Sequence, residues 1–114
     1  QTYTTQVGFY EKIGRQVTIR GRLTIDAIGT LDGNVSLSGF PFTSSSTANS
    51  YGSIQFSLGG SLAITANANL SCLVAINATK GNIKVWGSVT GTTNLDDLEL
   101  TAGADLIFSG TYQV

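Results

Sequence analysis

The sequence predicts an all-β fold, an antiparallel β-sandwich or jelly-roll of about eight to nine short strands. Three observations lead there. Apolar residues recur with period two almost throughout. Gly- and Asn-containing turn signals break these runs at short intervals. No stretch carries an apolar stripe of helical spacing and useful length.

The elements follow in order. Tyr3, Thr5, Val7 and Phe9 mark a first strand. In the next, Val17, Ile19, Gly21, Leu23 and Ile25 alternate with Gln16, Thr18, Arg20, Arg22, Thr24 and Asp26, one face buried and one wet. Leu31-Asp32-Gly33-Asn34 holds Asp-Gly, a tight-hairpin signal. Val35 and Leu37 continue the alternation, as do Ile54, Phe56 and Leu58, then Leu62 and Ile64. Leu58–Ser61 and Thr79–Asn82 read as further turns.

Residues Thr43–Ser53, rich in serine, read as a long exposed loop. The only proline, Pro41, stands at its base between Phe40 and Phe42. Proline fixes φ and lacks an N–H, so this clamp suits a strand end or an edge.

Leu70, Cys72, Val74 and Ile76 share one parity while Leu73 and Ala75 occupy the other. A strand apolar on both faces is covered on both, here either by another subunit or by a long loop. Ile83 and Val85 take the buried parity of the next strand, leaving Lys84, Trp86 and Ser88 on the other. An outward tryptophan is either a subunit contact or a ligand platform, since its large face is costly to leave wet. Gly91–Asp97 forms a longer loop. Asn94–Leu100 fits one short helical turn capped by Asn94 or Asp96. Leu106 and Phe108 belong to the closing strand.

The composition narrows the function. One domain of 114 residues, 1–114, is the expectation, with 41% apolar residues to build a core. Only 11% are charged and the net charge is −1, against about 25% charged in an ordinary soluble domain. The surface is therefore hydroxyl- and amide-rich, with no field to steer nucleic acid. The single cysteine precludes an internal disulfide, and no histidine is present to serve as base or metal ligand. No segment reaches the roughly 18 to 20 apolar residues of a membrane span. The start lacks an initiator Met and a signal sequence, so the chain reads as a fragment of something longer.

An enzyme has little to stand on. The carboxylates are Glu11, Asp26, Asp32, Asp96, Asp97, Glu99 and Asp105. Asp96 and Asp97 adjoin in a loop, and chain neighbours point apart rather than forming a facing pair. A solvated turn is the expectation for them, a calcium site the alternative. No phosphate loop or nucleophile elbow is present, and no cofactor is indicated.

Three stretches together carry a resemblance: Val7–Ile25, Gly33–Ser46 and Ile107–Val114. In order and spacing they resemble the C-terminal receptor-binding domains of bacteriophage tail fibres and tailspikes. The Phe40-Pro41-Phe42 element stands where that family's pattern has Leu-Pro-Phe. The resemblance covers about half the chain and concerns its framework, so no binding residue is carried over from it. It implies a homotrimer at the tip of a virion tail fibre or tailspike, facing outward from the particle. Such a domain would trimerise the fibre, bind host cell-surface polysaccharide or lipopolysaccharide, or do both. In tailspikes, depolymerase chemistry usually lies in a preceding β-helix, absent here.

A non-catalytic carbohydrate-binding domain is thus the reading, with a purely structural folding cap as its rival. The carbohydrate candidates are Tyr51, Lys84, Trp86, Asn94, Asp96 and Asp97, chosen for stacking faces and sugar-hydroxyl partners. The trimer-contact candidates are Leu73, Ala75 and Trp86.

Overall fold

The computed structural model describes residues 2–27, 29, 33–64, 68–87 and 90–114. Leu31 and Asp32 of the Asp-Gly signal, Ser88, and the facing of Leu58 lie outside what it describes. Eight strands and one 3-10 turn make up these residues: β1 Thr2–Ile13, β2 Gln16–Ala27, β3 Ser36–Ser38, β4 Gly52–Leu62, β5 Asn69–Val74, β6 Lys80–Trp86, β7 Thr92–Asn94, the turn Asp97–Glu99, and β8 Leu100–Gln113. Every pairing is antiparallel, and the strands form one sheet in the order β1-β2-β8-β4-β5-β6-β3. β3 and β7 share the last edge of β6: β3 pairs Lys80 to Asn82 and β7 pairs Lys84 to Trp86. Between them, Ile83 N–H donates to the Val35 carbonyl (3.3 Å) and its own carbonyl accepts from Leu95 N–H (2.9 Å).

The sheet curls until its two halves face each other across one core, so the sandwich is built from a single continuous sheet. Its centre is a lateral row of inward residues, Ile19, Gly110, Ile54, Cys72 and Ile83, each directly opposite the next. Val17, Leu37, Val74, Val85, Leu95, Leu100, Phe108 and Tyr112 are buried around it. The inward parity read for β2, β3, β6 and β8 is the observed one. β1 differs, because Val7 and Phe9 are exposed while Tyr10 pairs opposite the buried Ile19.

Four strands are longer than expected, at 11 to 14 residues. In β4 two glycines read as a turn are the reason. Gly59 and Gly60 lie within β4, which keeps pairing with β8 through irregularities at Phe56/Leu58 and Gly60/Leu62. Bulges absorb the glycines without ending the ladder. Gly81 likewise lies within β6: Cys72 Sγ and the Phe40 ring occupy the space a side chain would need. The real reversal between β5 and β6 precedes it, where Asn77 adopts φ 51°. Among the described residues β2 pairs β1 and β8, and β3 pairs β6.

The aromatic clamp is fixed by β8. Phe40 stacks on Tyr112 with centroids 5.3 Å apart. The Tyr112 hydroxyl donates to the Phe42 carbonyl (2.9 Å) and accepts from Phe42 N–H (3.3 Å). The Phe42 ring meets the edge of Tyr10 at 5.6 Å. The serine run then departs from expectation. Ser44 and Ser45 are buried, at 5% and 8% exposure. Ser44 Oγ donates to the Ala75 carbonyl (2.6 Å) and accepts from Ala78 N–H (2.8 Å), while Ser45 N–H donates to the Gln113 carbonyl (2.8 Å). Hydroxyls here satisfy buried backbone groups, which composition alone cannot distinguish from a solvated loop. Thr43 before them and Ser46 after them are exposed.

Candidate functional site

Because Ile83 and Val85 point into the core, Lys84 and Trp86 stand on the outer face of β6. Trp86 lies opposite Asn69 of β5 and Thr92 of β7, and Lys84 opposite Ser71 and Asn94. Leu73 lies on the same face, one row further along, opposite Asn82. Trp86 is 54% exposed and Leu73 37%. With Ser53, Ser71, Lys84 and Thr92 they line a shallow cleft of about 190 Å³. Lys84 Nζ donates to Asn94 Oδ1 at 2.5 Å, which holds the ammonium over β7 in the row next to that of Trp86. The arrangement offers a flat apolar ring, a cation, and hydroxyl and amide groups in one plane. Such a surface stacks on a sugar face and exchanges hydrogen bonds with its hydroxyls.

The other sequence candidates lie elsewhere. Tyr51 is exposed just before β4. Gly52 pairs with Val74 and Trp86 with Asn69, opposite ends of β5, about 17 Å apart at the rise of an extended strand. Tyr51 thus lies far from the tryptophan ring and is not among the residues lining the cleft, although its neighbours Gly52 and Ser53 line the other end of it. Asp96 and Asp97 build the 3-10 turn. Asp96 Oδ1 accepts from Leu98 N–H (3.0 Å), and Glu99 Oε1 accepts from Asp96 N–H (3.1 Å), completing a capping box. Asp97 Oδ1 accepts from Gly33 N–H at 3.1 Å. The Asp96 carboxyl is held below the usual carboxylate range, first by its hydrogen bond with Asp97 and then by Leu98 N–H. No group of three or more His, Cys, Asp or Glu residues is placed to hold a metal among the described residues. Ala75 is half-buried just beyond β5, its carbonyl taken by Ser44.

Two outer-face features escape a reading of the sequence. Arg22 forks onto Asp105, Nε to Oδ1 at 3.0 Å and Nη2 to Oδ2 at 2.7 Å. The pair holds the Asp105 carboxyl below its ordinary range and the guanidinium above its own. Arg20 instead lies over the exposed Phe9 ring, 5.5 Å from its centroid. The only sequence signal is that both arginines occupy the wet parity of β2.

No protein-family model matches the chain, and no curated protein matches it. Among solved structures, the Dettilon tailspike protein is similar to it with a TM-score of 0.76 at 13% identity. The match covers 96% of this chain and 20% of the tailspike chain. At that identity the likeness is one of fold: nearly the whole curled sheet has a counterpart in a segment that makes up a fifth of a tailspike.

Proposed function

We propose that this chain is a non-catalytic module of a phage tailspike or tail fibre that assembles as a homotrimer and holds host cell-surface carbohydrate on the outer face of β5, β6 and β7. The observation that carries the reading is the half-exposed Trp86, opposite Thr92 on the sheet and in one cleft with Lys84, whose ammonium is bound to Asn94. The fold shared with a tailspike supports the phage context. Three tethered copies raise a weak single-site affinity by orders of magnitude, so a shallow site suffices. In this reading the module sits at the outward tip of the virion's tail appendage.

The second reading makes Leu73 and Trp86 a subunit contact and the module a folding cap without a ligand of its own. It rests on the same pair of exposed apolar side chains. Light scattering and glycan binding on Trp86→Ala separate the two. Retained mass near three times 11.9 kDa, with host polysaccharide binding abolished, supports the carbohydrate site. Monomers produced by that substitution assign Trp86 to the interface. Turnover of host polysaccharide by the intact module would overturn the non-catalytic assignment.

A further inference from the structure

β1 and β3 stand at the two ends of the strand order. The curl brings them to the two sides of one seam, a cleft of about 410 Å³ that both strands line. That volume lies in the range of small-ligand sites. One wall is the inner face of β1. Gly8 lies opposite Gly21, where a side chain would meet the Phe108 ring, so Gln6, Gly8 and Tyr10 face inward. The other wall is Ser36, Ser38 and Phe40, and the buried Ile19, Leu37 and Phe108 form the base. Tyr10 is 56% exposed. Gln6, Ser36 and Ser38 are exposed, and their side chains bond no protein group among the described residues. A Cβ on Gly8 would meet only the Arg20 carbonyl oxygen, at 4.0 Å, so the space over that glycine is open. The lining holds no carboxylate, and its one charged side chain, Arg20, lies over the Phe9 ring.

We infer that this seam binds a neutral sugar unit that carries a methyl group, as 6-deoxy and acetylated sugars do, with the methyl on the apolar base and the hydroxyls toward Gln6, Ser36 and Ser38. The cleft is apolar at depth and bears hydroxyl and amide groups at its rim, and the ligand divides the same way. A hydroxyl driven onto the base would leave water without gaining a partner, whereas a methyl there gains by leaving water. Amide and hydroxyl groups at the rim both donate to and accept from sugar hydroxyls. Tyr10 supplies an aromatic face beside the sugar ring. The inference takes its ligand class from the carbohydrate-binding reading but not its site, since the seam shares no residue with the Trp86 cleft.

The test is saturation-transfer NMR on the intact protein with neutral hexoses, their 6-deoxy forms and their N-acetylated amino-sugar forms. Transfer should be strongest at the methyl protons, and whether the 6-deoxy or the N-acetyl form gives it identifies the source of the methyl. The parent hexose should bind at least about threefold more weakly. Gly8 is not among the glycines of positive φ, so Gly8→Val sets a strand-favouring side chain in the open space. It should abolish the transfer with melting temperature and solution mass unchanged. Tyr10→Ala should weaken binding about tenfold, and Trp86→Ala should leave it intact. Transfer that survives Gly8→Val, or that favours the parent hexose, overturns the inference. Transfer lost in Trp86→Ala also overturns it while upholding the tryptophan site. Absence of transfer from every sugar overturns the seam site, and polysaccharide binding that still depends on Trp86 would then leave the carbohydrate reading standing. A fall in oligomeric mass in Gly8→Val would make the seam a subunit contact and overturn the inference.

Discussion

Gly81 gives the most direct test of how the core closes around the aromatic clamp. It lies in the extended backbone of β6 and not among the glycines of positive φ, so alanine brings no backbone strain. The added Cβ would overlap Cys72 Sγ and sit 3.3 Å from Phe40 Cζ. Cys72 is 1% exposed and packed within the core cluster. Overpacking a closed core costs about 1–3 kcal/mol, and a direct overlap with a fixed sulfur belongs at about 3 kcal/mol. Cys72→Ala alone removes one heavy atom and leaves a small void, about 1 kcal/mol. In the double variant the methyl introduced at position 81 fills the space of the sulfur. The loss then stays near 1 kcal/mol, rather than the roughly 4 kcal/mol expected of independent sites. Urea unfolding followed by circular dichroism reads all four corners of this cycle. Gly81→Ala within about 0.5 kcal/mol of the parent, or single effects that simply add, would refute the packing described here.

Tyr112→Phe keeps the ring stack on Phe40 but deletes both hydrogen bonds to Phe42; thermal unfolding should show a loss of about 1–2 kcal/mol. Ser44→Ala strands the Ala78 N–H and should cost about the same by the same assay; no change would restore a solvated loop there. Burial pushes the Cys72 thiol up to about 12. The folded state therefore favours the neutral thiol: that stability is present below the unfolded value of about 8.5 and is lost as pH rises toward the folded one. Thiol labelling at about pH 9, just above that unfolded value, should accordingly follow unfolding, and fast labelling of the native protein would contradict the burial. Asp105 runs the other way. Its lowered value means stability present above the ordinary carboxylate range and lost as pH falls through the folded value, and Asp105→Asn should flatten that acid-side slope in pH-dependent melts.

Strand alternation is legible because one face of the sheet is dry, which fixes the parity of β2, β3, β6 and β8. The same logic places Trp86 and Lys84 outward, and of the two caps read for the short turn, Asn94 and Asp96, the structure uses Asp96. Glycine misleads a local reading. Gly59 and Gly60 stay in a strand because β8 continues to pair with them, and Gly81 is in a strand because Cys72 and Phe40 leave no room for a side chain, and those partners are distant in sequence. Ser44 and Ser45 mislead for the same reason, since their partners at Ala75, Ala78 and Gln113 are unknowable before the fold is. Residue type alone groups Tyr51 with Trp86, and register separates them.

The place of β8 between β2 and β4 governs the order of events at the ribosome. Val17 waits for Tyr112, and Ile54 for Gly110. The β1–β2 hairpin and the β4–β5–β6 meander emerge first, with nothing to join them until residues 100–113 have been synthesised. Closure is then almost wholly non-local, which makes it slow. During that interval the unpaired edges of β2 and β4 are open to neighbouring nascent chains. Arg20 and Arg22 project from that waiting strand, and charged side chains on an open edge disfavour pairing with another chain.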